Sequence, residues 1–194
     1  GYVIFYNFDY YSENLIEILY LWQGGLSFHG GLLGIVTAAI IISKFYKTTF
    51  FEISDLICVS APVGIFFGRI SNFINGELFG RPSNFLIGMK FPNADNQYRH
   101  PSQLYEAFLE GLLLFIILNF LIFKLKKLKN PGIISGVFLM LYGLFRFTVE
   151  FTREPDIQLG FVYHFLTMGM ILSLPMFLAG ILILVIKSNK NDTR

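Results

Sequence analysis

Five apolar segments, each close to the length that crosses a bilayer, dominate this chain of 194 residues. A spanning helix needs about 20 apolar residues, because the hydrocarbon core of a bilayer is about 30 Å thick. Charged residues make up 14% of the chain, against about 25% in a soluble domain. We therefore predict an all-α, polytopic transmembrane helical bundle with five spanning helices and irregular external loops. The predicted segments are 29–45, 53–75, 103–123, 133–151 and 164–187.

The pattern predicts a single integral-membrane domain over residues 1–194. The chain starts at Gly1 without an initiator Met, and its apolar opening, GYVIFYN, is typical of the end of a helix. We therefore expect the N-terminal helices of a longer protein to be lacking. The sequence contains one cysteine, Cys58, which excludes a framework of disulfides.

Basic residues are concentrated after alternate apolar segments, which predicts the orientation of the chain. Positive residues favour the cytoplasmic side of a membrane. That side then carries the C-terminus, and the loops 8–28, 76–102 and 152–163 are external. The second of these loops is long and lacks clear periodicity, so we expect it to be functional or amphipathic at the membrane surface. The basic residues on the cytoplasmic side are Lys44, Lys47, Lys124, Lys126, Lys127, Lys129, Lys187, Lys190 and Arg194.

Two arginines, Arg69 and Arg146, lie inside apolar segments. A guanidinium within a bilayer is costly, and arginine does not escape that cost by losing its proton. Its planar fork of N–H donors suits a phosphate group. The first hypothesis is therefore a membrane protein that holds a phosphate-bearing lipid.

The residues that follow Arg69 add polar groups in the order RISNFINGE. On a helix, Arg69, Asn72 and Gly76 would share one face. The donors of Arg69 and Asn72 would grip phosphate oxygens and glycerol hydroxyls, and Asn75 lies in the same stretch. Glu77 would accept from a hydroxyl or orient Arg69. The alternative is a simple Arg–Glu pair at the end of a helix.

A second charged stripe follows from Arg146, Glu150 and Arg153, which are spaced for one helical face. An arginine that precedes a glutamate by four residues is the weaker orientation of an intrahelical pair. Glu150 is therefore expected to orient Arg146, and a charge-balanced packing pair is the alternative. Arg69 and Arg146, from different helices, would clamp one phosphate between them.

Gln103, Glu106 and Glu110 line one face of the third apolar segment. Two carboxylates one turn apart inside a membrane repel each other unless they are protonated or paired. We favour their pairing with Arg69 or Arg146 as counter-charges. The alternative is a proton path in a transporter.

His29 is the strongest candidate for a general base, because imidazole accepts a proton near neutral pH. It lies among glycines, in GGLSFHGGLLG, at the start of a predicted helix on the external side. A hydrogen-bonded structural histidine is the alternative. His100 and His164 are weaker candidates, and the spacing of the three histidines indicates no metal site. A net charge of +2 and the lack of a basic face argue against nucleic acid, and no nucleotide-binding loop is present.

Four blocks of this sequence resemble the bacterial prolipoprotein diacylglyceryl transferase family. They are GGLSFHGGLLG (24–34), GRISNFINGELFGR (68–81), HPSQLYEA (100–107) and RFTVEFTREPDIQLG (146–160). Ser71 departs from the Gly or Ala that is usual in the second block, but a small residue is kept. The family's first transmembrane helix, most of its second and a functional tyrosine there have no counterpart in this chain.

The resemblance implies an enzyme of the bacterial cytoplasmic (inner) membrane with its active site toward the periplasm. It would transfer the sn-1,2-diacylglyceryl group of phosphatidylglycerol to the lipobox cysteine of a preprolipoprotein, forming a thioether and releasing glycerol phosphate. It implies that Arg69 and Arg146 are catalytic and bind the lipid headgroup, that His29 is the base, and that Glu150 supports Arg146. The expected substrate-binding residues are Arg69, Asn72, Asn75, Glu77, Gly80, Glu150 and Arg153.

The residues make this chemistry reasonable without a metal or another cofactor. A thiol has a pKa near 8.5, so a base or a positive field must favour the thiolate. Attack on the glycerol carbon expels a phosphate ester that is already a stable anion. Arginines aimed at that anion lower the barrier, and we expect them to contribute more than His29.

Two other functional classes are compatible with charged residues inside a membrane. A transporter of lipids or small anions uses such groups along its pathway. A transporter commonly carries internal repeats, and the blocks around Arg69 and Arg146 share little beyond Arg and Glu. A non-catalytic bundle subunit, whose buried charges set partner choice, is the third class.

Overall fold

The computed structural model describes residues 8–14, 16–17, 20, 28–155, 161–163 and 166–189. The chain divides into two compact units, Gly1–Ile53 and Ser54–Arg194, with the boundary inside one long helix. The described ranges contain a short 3-10 helix, Lys127–Lys129, and six longer helices, which we number in chain order. They are α1 (Phe8–Glu13), α2 (Phe28–Phe45), α3 (Phe50–Ile74), α4 (Ser102–Phe123), α5 (Ile133–Val149) and α6 (Met168–Asn189).

The N-terminal unit contains α1, α2 and the first residues of α3. Helix α3 starts with a reciprocal cap that the sequence TFFE provides. The backbone N–H of Glu52 donates to the Thr49 hydroxyl at 3.3 Å, and the Thr49 N–H donates to the Glu52 carboxylate at 2.8 Å. This capping box satisfies two backbone donors and sets where the helix begins.

Helix α5 is capped by a side chain from another helix. Gly132 precedes α5 with a φ of 101° and has no side chain to offer. The Asp55 carboxylate of α3 is fully buried and accepts from the backbone N–H groups of Gly132 and Ser135 at 2.7 and 2.8 Å. The Ser135 hydroxyl donates to it at 2.5 Å. An anion at a helix N-terminus is favourable, so Asp55 ties α3 to the start of α5.

Helix α4 contains a π-helical stretch, Ala107–Leu113, between two α-helical parts, Ser102–Glu106 and Leu114–Phe123. Such wider turns are frequent at functional sites. A Cβ on Gly111 would lie 2.7 Å from the Phe66 Cβ, so α3 and α4 are in close contact there. Leu114, Leu118 and Ile134 form the buried apolar core below this contact.

Helices α5 and α6 also approach each other through small residues. A Cβ on Gly143 would lie 2.8 Å from the backbone N of Phe177 and from the Ser173 carbonyl oxygen. Before α6, strands β1 (Phe161–Tyr163) and β2 (Leu166–Thr167) form a short antiparallel pair. This hairpin brings Thr167 and the start of α6 next to the end of α5.

The prediction of an all-α chain with long apolar helices is confirmed, since the described residues of all five apolar segments are largely helical. Three helices, Phe50–Ile74, Ser102–Phe123 and Met168–Asn189, are long and apolar enough to cross a membrane. The apolar helices Gly30–Phe45 and Ile133–Val149 are shorter. The predicted start of the fifth segment, at about 164, is too early, because Leu166 and Thr167 form strand β2 and α6 begins at Met168. The fourth segment was predicted to end at about 151, and α5 ends at Val149.

The loop between α3 and α4 is folded rather than irregular. Backbone bridges pair Arg99 with both Pro82 and Met89, and pair Gly80 with Arg153. The ring of Phe91 is buried and lies against Phe73 and Phe79. These contacts give the 75–101 segment a fixed path beside the ends of α3, α4 and α5.

Candidate active site

Three arginines, one from α3 and two from the end of α5 and the turn after it, converge on one buried carboxylate, Glu106. The Nε atom of Arg69 lies 2.8 Å from Glu106 Oε2. Nη1 of Arg153 donates to Oε1 at 2.9 Å, and Nη1 of Arg146 donates to the same oxygen. Glu106 has no exposed surface. A carboxylate buried this completely requires opposite charge around it, and here three guanidinium groups supply it.

The helices explain why these residues meet. Arg69 lies in the last part of α3, and Glu106 lies near the start of α4. Arg146 occupies the last turn of α5, and Arg153 follows in the turn beyond it. The charged groups therefore collect at one end of the three helices, although Arg69 and Arg153 are far apart in the sequence.

Two further buried carboxylates complete the cluster, and they differ in how well they are satisfied. Glu150 lies 2.9 Å from Nη2 of Arg146, and the Thr167 hydroxyl donates to its other oxygen at 2.8 Å. Glu110 is fully buried and lies 3.9 Å from Nη2 of Arg69. Neither oxygen of Glu110 has a hydrogen-bond partner among the described residues. We call these six residues the arginine–glutamate cluster: Arg69, Arg146, Arg153, Glu106, Glu110 and Glu150.

The arginine–glutamate cluster is buried but not closed. The side chain of Arg69 is 21% exposed and that of Arg146 is 15% exposed, whereas Arg153 is 8% exposed. Arg69 and Arg146 are therefore the two arginines of the cluster with the more accessible side chains, and Glu106 holds them close together. The donor geometry that surrounds Glu106 is the geometry that a phosphate group also requires.

A short stretch of the α3–α4 loop locks the end of α5 to this site. The backbone of Gly80 pairs with that of Arg153, and a Cβ on Gly80 would lie 2.7 Å from the Cβ of His100. Arg81 donates from Nε to the Arg153 carbonyl at 2.8 Å and from Nη2 to the Glu150 carbonyl at 3.4 Å. Only glycine fits at position 80, and its contact with the backbone of Arg153 helps to position that guanidinium.

Comparison with known proteins now gives the family. The family model described as prolipoprotein diacylglyceryl transferase matches residues 1–186. The chain belongs to the prolipoprotein diacylglyceryl transferase family.

Three relatives from Rickettsia, each named phosphatidylglycerol–prolipoprotein diacylglyceryl transferase, show how close the similarity is. The protein of Rickettsia bellii (strain OSU 85-389) is 52% identical over 185 residues, which cover 95% of this chain and 70% of the relative. Those of Rickettsia felis (strain ATCC VR-1525 / URRWXCal2) and Rickettsia rickettsii (strain Sheila Smith) are 53% and 54% identical over 180 residues. These alignments cover 93% of this chain and 70% of each relative. The names favour a transferase over a transporter.

The predicted counter-charges of this diacylglyceryl transferase family member are confirmed by the contacts. Glu106 and Glu110 face Arg69, Glu106 also pairs with Arg146, and Glu150 pairs with Arg146. Sequence spacing does not reveal that one carboxylate, Glu106, serves three arginines. That arrangement arises only when α3, α4 and α5 are packed together.

The predicted helical face around Arg69 is wrong beyond Ile74. Helix α3 ends there, and Gly76 lies in a turn with a φ of 66°. The side chain of Glu77 is exposed, while the acidic partners of Arg69 are Glu106 and Glu110. The polar turn of the sequence, NGE, ends the helix instead of extending it.

The other predicted substrate-binding residues surround this helix end. Asn72 is half-buried, and its carbonyl accepts from the Glu77 N–H at 2.9 Å. Asn75 is exposed, and its carbonyl accepts from the Asn93 side chain at 3.0 Å. Gln103 donates to the Glu77 carbonyl at 2.5 Å and so holds the turn against α4. The side-chain amides of Asn72 and Asn75 remain predicted ligand contacts.

Of the three histidines, only His100 has a side chain among the described residues. The backbone of His29 belongs to α2, but its side chain lies outside the described residues, so its role as a base stays a prediction. His164 also lies outside them. His100 lies in the α3–α4 loop, with its Nδ1 3.2 Å from the Tyr105 hydroxyl oxygen. The described residues contain no group of three or more His, Cys, Asp or Glu placed to hold a metal ion.

Sequence reasoning missed one well-formed charged group near the site, which we call the Arg99 clasp. Arg99 donates to both oxygens of Asp95 at 2.8 and 3.0 Å, and from Nη1 to Glu154 at 2.8 Å and to the Gly80 carbonyl at 3.1 Å. Its guanidinium lies 5.1 Å from the centre of the Phe79 ring. The hydrogen bonds from Arg99 hold the pKa of Asp95 below its ordinary value. The pairing with Asp95 at four residues' spacing was the one signal available in the sequence.

Proposed function

We propose that this chain transfers the diacylglyceryl group of phosphatidylglycerol to the lipobox cysteine of a prolipoprotein, with the lipid phosphate held by Arg69 and Arg146. The convergence of two accessible guanidinium groups on one buried carboxylate supports this assignment most strongly. The family to which the chain belongs and the names of its relatives agree with it.

Binding begins with an exchange of partners at the two arginines. In the structure, Glu106 pairs with both guanidinium groups. A phosphate that approaches their exposed N–H groups takes some of these donors, because charge-assisted bonds to phosphate match the planar fork of arginine. Glu106 and Glu150 stay behind the arginines and keep them aimed at the phosphate.

The transfer step forms one C–S bond and breaks one C–O bond. The cysteine thiol gives up its proton to a base, which we assign to His29, and the thiolate attacks the glycerol carbon that bears the phosphate ester. The electrons of the broken C–O bond leave with glycerol phosphate. Negative charge grows on the phosphate oxygens, and prepositioned guanidinium groups stabilise it without reorganising.

The remaining substrate contacts are assigned by their position around the end of α3. Arg153 and Gly80 join the phosphate site to the α3–α4 loop. Asn72, Asn75 and Glu77 follow Arg69 at the mouth of the cluster, where a polar headgroup and an incoming peptide would meet them. We assign them to the glycerol hydroxyls and to the peptide backbone.

The site is assigned to the periplasmic side of a bacterial membrane, with the C-terminus in the cytoplasm. The basic residues after α2, α4 and α6 support this orientation. We also propose that residues 1–194 act as one integral-membrane domain. Cysteine accessibility labelling in intact cells, with probes at positions 96 and 188, tests the orientation.

The assay that tests the function mixes the protein in sealed lipid vesicles with labelled phosphatidylglycerol and a lipobox peptide. Transfer gives a heavier, labelled peptide and free glycerol phosphate. Label that crosses a membrane without joining the peptide would identify a transporter, and no reaction would favour a non-catalytic subunit. Arg69→Ala should lower transfer by a factor of about 100 or more, whereas Lys124→Ala, which removes an exposed cation after α4, should not.

The same assay compares how much the two arginines and His29 contribute to the rate of transfer. We expect Arg69→Ala and Arg146→Ala to lower the rate more than His29→Gln does. A near-normal rate in Arg69→Ala, with the protein still folded, would reject the assigned phosphate site even if the chain proved to be a transferase.

A further inference from the structure

Four apolar side chains of the α3–α4 loop are exposed, and one of them, Leu86, is fully exposed. The exposed fractions are 66% for Phe85, 100% for Leu86, 46% for Ile87 and 39% for Met89. We call these four residues the apolar tip. A contiguous apolar group of this kind on a protein surface marks a site of contact with another apolar phase.

The apolar tip is held in a defined turn. The Phe85 N–H donates to the Ser83 hydroxyl at 3.0 Å, and the Gly88 N–H donates to the Phe85 carbonyl at 2.9 Å. A Cβ on Gly88 would lie 3.1 Å from that carbonyl oxygen, so glycine permits the tight turn. The turn directs Leu86 away from the rest of the chain.

The base of the turn is closed by paired backbone. Met89 and Arg99 exchange two hydrogen bonds of 2.9 and 2.8 Å, and the Ser83 N–H donates to the Tyr98 carbonyl at 2.8 Å. The Arg99 clasp then fastens this base to Glu154, beyond the end of α5. These hydrogen bonds hold the turn in place, so its apolar side chains remain exposed instead of folding back onto the protein.

The residues that flank the tip are those that favour the boundary between lipid and water. Tyr98 is 57% exposed, and the Lys90 ammonium lies 5.3 Å from the centre of its ring. Tyrosine and lysine combine an apolar body with a polar end, and both concentrate at membrane interfaces. The apolar tip and the flanking Tyr98 and Lys90 correspond to the apolar and polar faces of a segment that lies at a membrane interface.

The position of the loop between two apolar helices indicates that the apolar tip contacts membrane lipid. It runs from Ile74, the last residue of α3, to Ser102, the first residue of α4, and both helices are long and apolar enough to cross a membrane. Both ends of the loop therefore lie at the same membrane surface. We infer that the apolar tip inserts into the lipid leaflet at that surface and anchors the α3–α4 loop there.

The anchor has a consequence for the site. The loop carries Gly80 and Arg81, which contact the backbone of Arg153. A tip fixed in the leaflet holds this loop at the level of the lipid headgroups.

Fluorescence of the full chain in vesicles of phosphatidylglycerol and phosphatidylethanolamine tests the insertion. Cys58→Ala removes the one cysteine, and Leu86→Cys then carries an environment-sensitive nitrobenzoxadiazole label. The control is the same label at Gln97→Cys, which is exposed on the same loop. We expect a blue-shifted emission at position 86 and several-fold stronger quenching there by spin-labelled acyl chains. Aqueous iodide should quench the label at position 97 more strongly.

Two results would overturn the inference. Equal quenching by iodide at positions 86 and 97 would place the tip in water. Protection from iodide without quenching by spin-labelled lipid would show that protein, such as a second copy or a partner, covers the tip. Ile87→Cys supplies an independent probe should the label at position 86 disturb the turn.

Discussion

The arginine–glutamate cluster and the Arg99 clasp lie on either side of Gly80. Both are built from arginine–carboxylate pairs, but the pairs are arranged differently in the two groups. In the clasp, one guanidinium has two carboxylate partners and a backbone carbonyl, with three of its contacts at 2.8–3.0 Å. In the cluster, three guanidinium groups share one carboxylate, and Glu110 has no hydrogen-bond donor among the described residues. Four hydrogen bonds from one guanidinium, which has five N–H donors, indicate a structural role for Arg99. A carboxylate shared by several partly exposed arginines is better suited to exchange with a ligand.

The burial of the two groups sharpens the contrast. Glu106 is fully buried at the end of helices that are apolar enough to enter a membrane, while Asp95 and Glu154 have side chains that are 42% exposed. Placing charge in an apolar region is expensive, and a structural tie does not require that expense. The burial of charge in the cluster therefore agrees with the binding role that we propose for it.

The largest effect is expected when the shared acceptor is removed. Glu106→Ala leaves three guanidinium groups without their common counter-charge, and breaking a buried pair in this way costs about 3–5 kcal/mol. Unfolding of the purified protein in detergent measures the loss. Glu77→Ala, at an exposed carboxylate, is the matched control and should have little effect. Equal stabilities of the two variants would show that Glu106 does not organise the cluster.

The second prediction separates catalysis from structure with one conservative change at each group. Arg146→Lys keeps a positive charge but loses the planar fork, so transfer should fall by about 10- to 100-fold with a modest change in stability. Arg99→Lys breaks the clasp and should cost about 1–3 kcal/mol of stability, with activity per folded molecule retained. Rates normalised to the folded fraction measure both. If Arg99→Lys lowered transfer and Arg146→Lys lowered only stability, the catalytic and structural roles assigned to the two groups would have to be exchanged.

A substitution at Gly80 should affect both regions at once. An added Cβ would collide with His100 and the Thr152 carbonyl, so Gly80→Ala should destabilise the loop by about 1–3 kcal/mol and displace the backbone that supports Arg153. The KM for phosphatidylglycerol should rise. Gly64→Ala, where no described atom lies within 4 Å of an added Cβ, is the control. A neutral Gly80→Ala would mean that the loop is not tightly held.

The smallest effect is a pH dependence confined to the clasp. The hydrogen bonds from Arg99 lower the pKa of Asp95, so the ionised carboxylate is favoured by folding. The resulting stability is present above the pKa of an unfolded aspartate, about 3.9, and is lost as the pH falls through the lower pKa of the folded state. Limited proteolysis of the α3–α4 loop should therefore accelerate only in acid. Asp95→Asn should remove this pH dependence, and an unchanged acid profile in that variant would contradict the assignment.

The apolar pattern was sufficient to predict the helices, because hydrophobic length is a local property that each segment carries by itself. It also placed Arg69 and Arg146 inside the helices and identified Glu106 and Glu110 as their counter-charges, since an ionised group in an apolar segment requires a partner. Local reasoning failed at the ends of elements. Gly76, with a positive φ, follows the end of α3, and the pairing of strands β1 and β2 precedes the start of α6. The hydrophobicity of a segment encodes neither feature.

The sequence alone determined that this chain is a helical membrane protein of the prolipoprotein diacylglyceryl transferase family and that its embedded charges must pair. Only the tertiary structure decided which groups pair: that Glu106 serves three arginines, that Arg99 joins Asp95 to Glu154, and that Leu86 is fully uncovered. These features depend on how residues far apart in the sequence meet when helices pack and a loop closes. Spacing along a single segment cannot specify such distances.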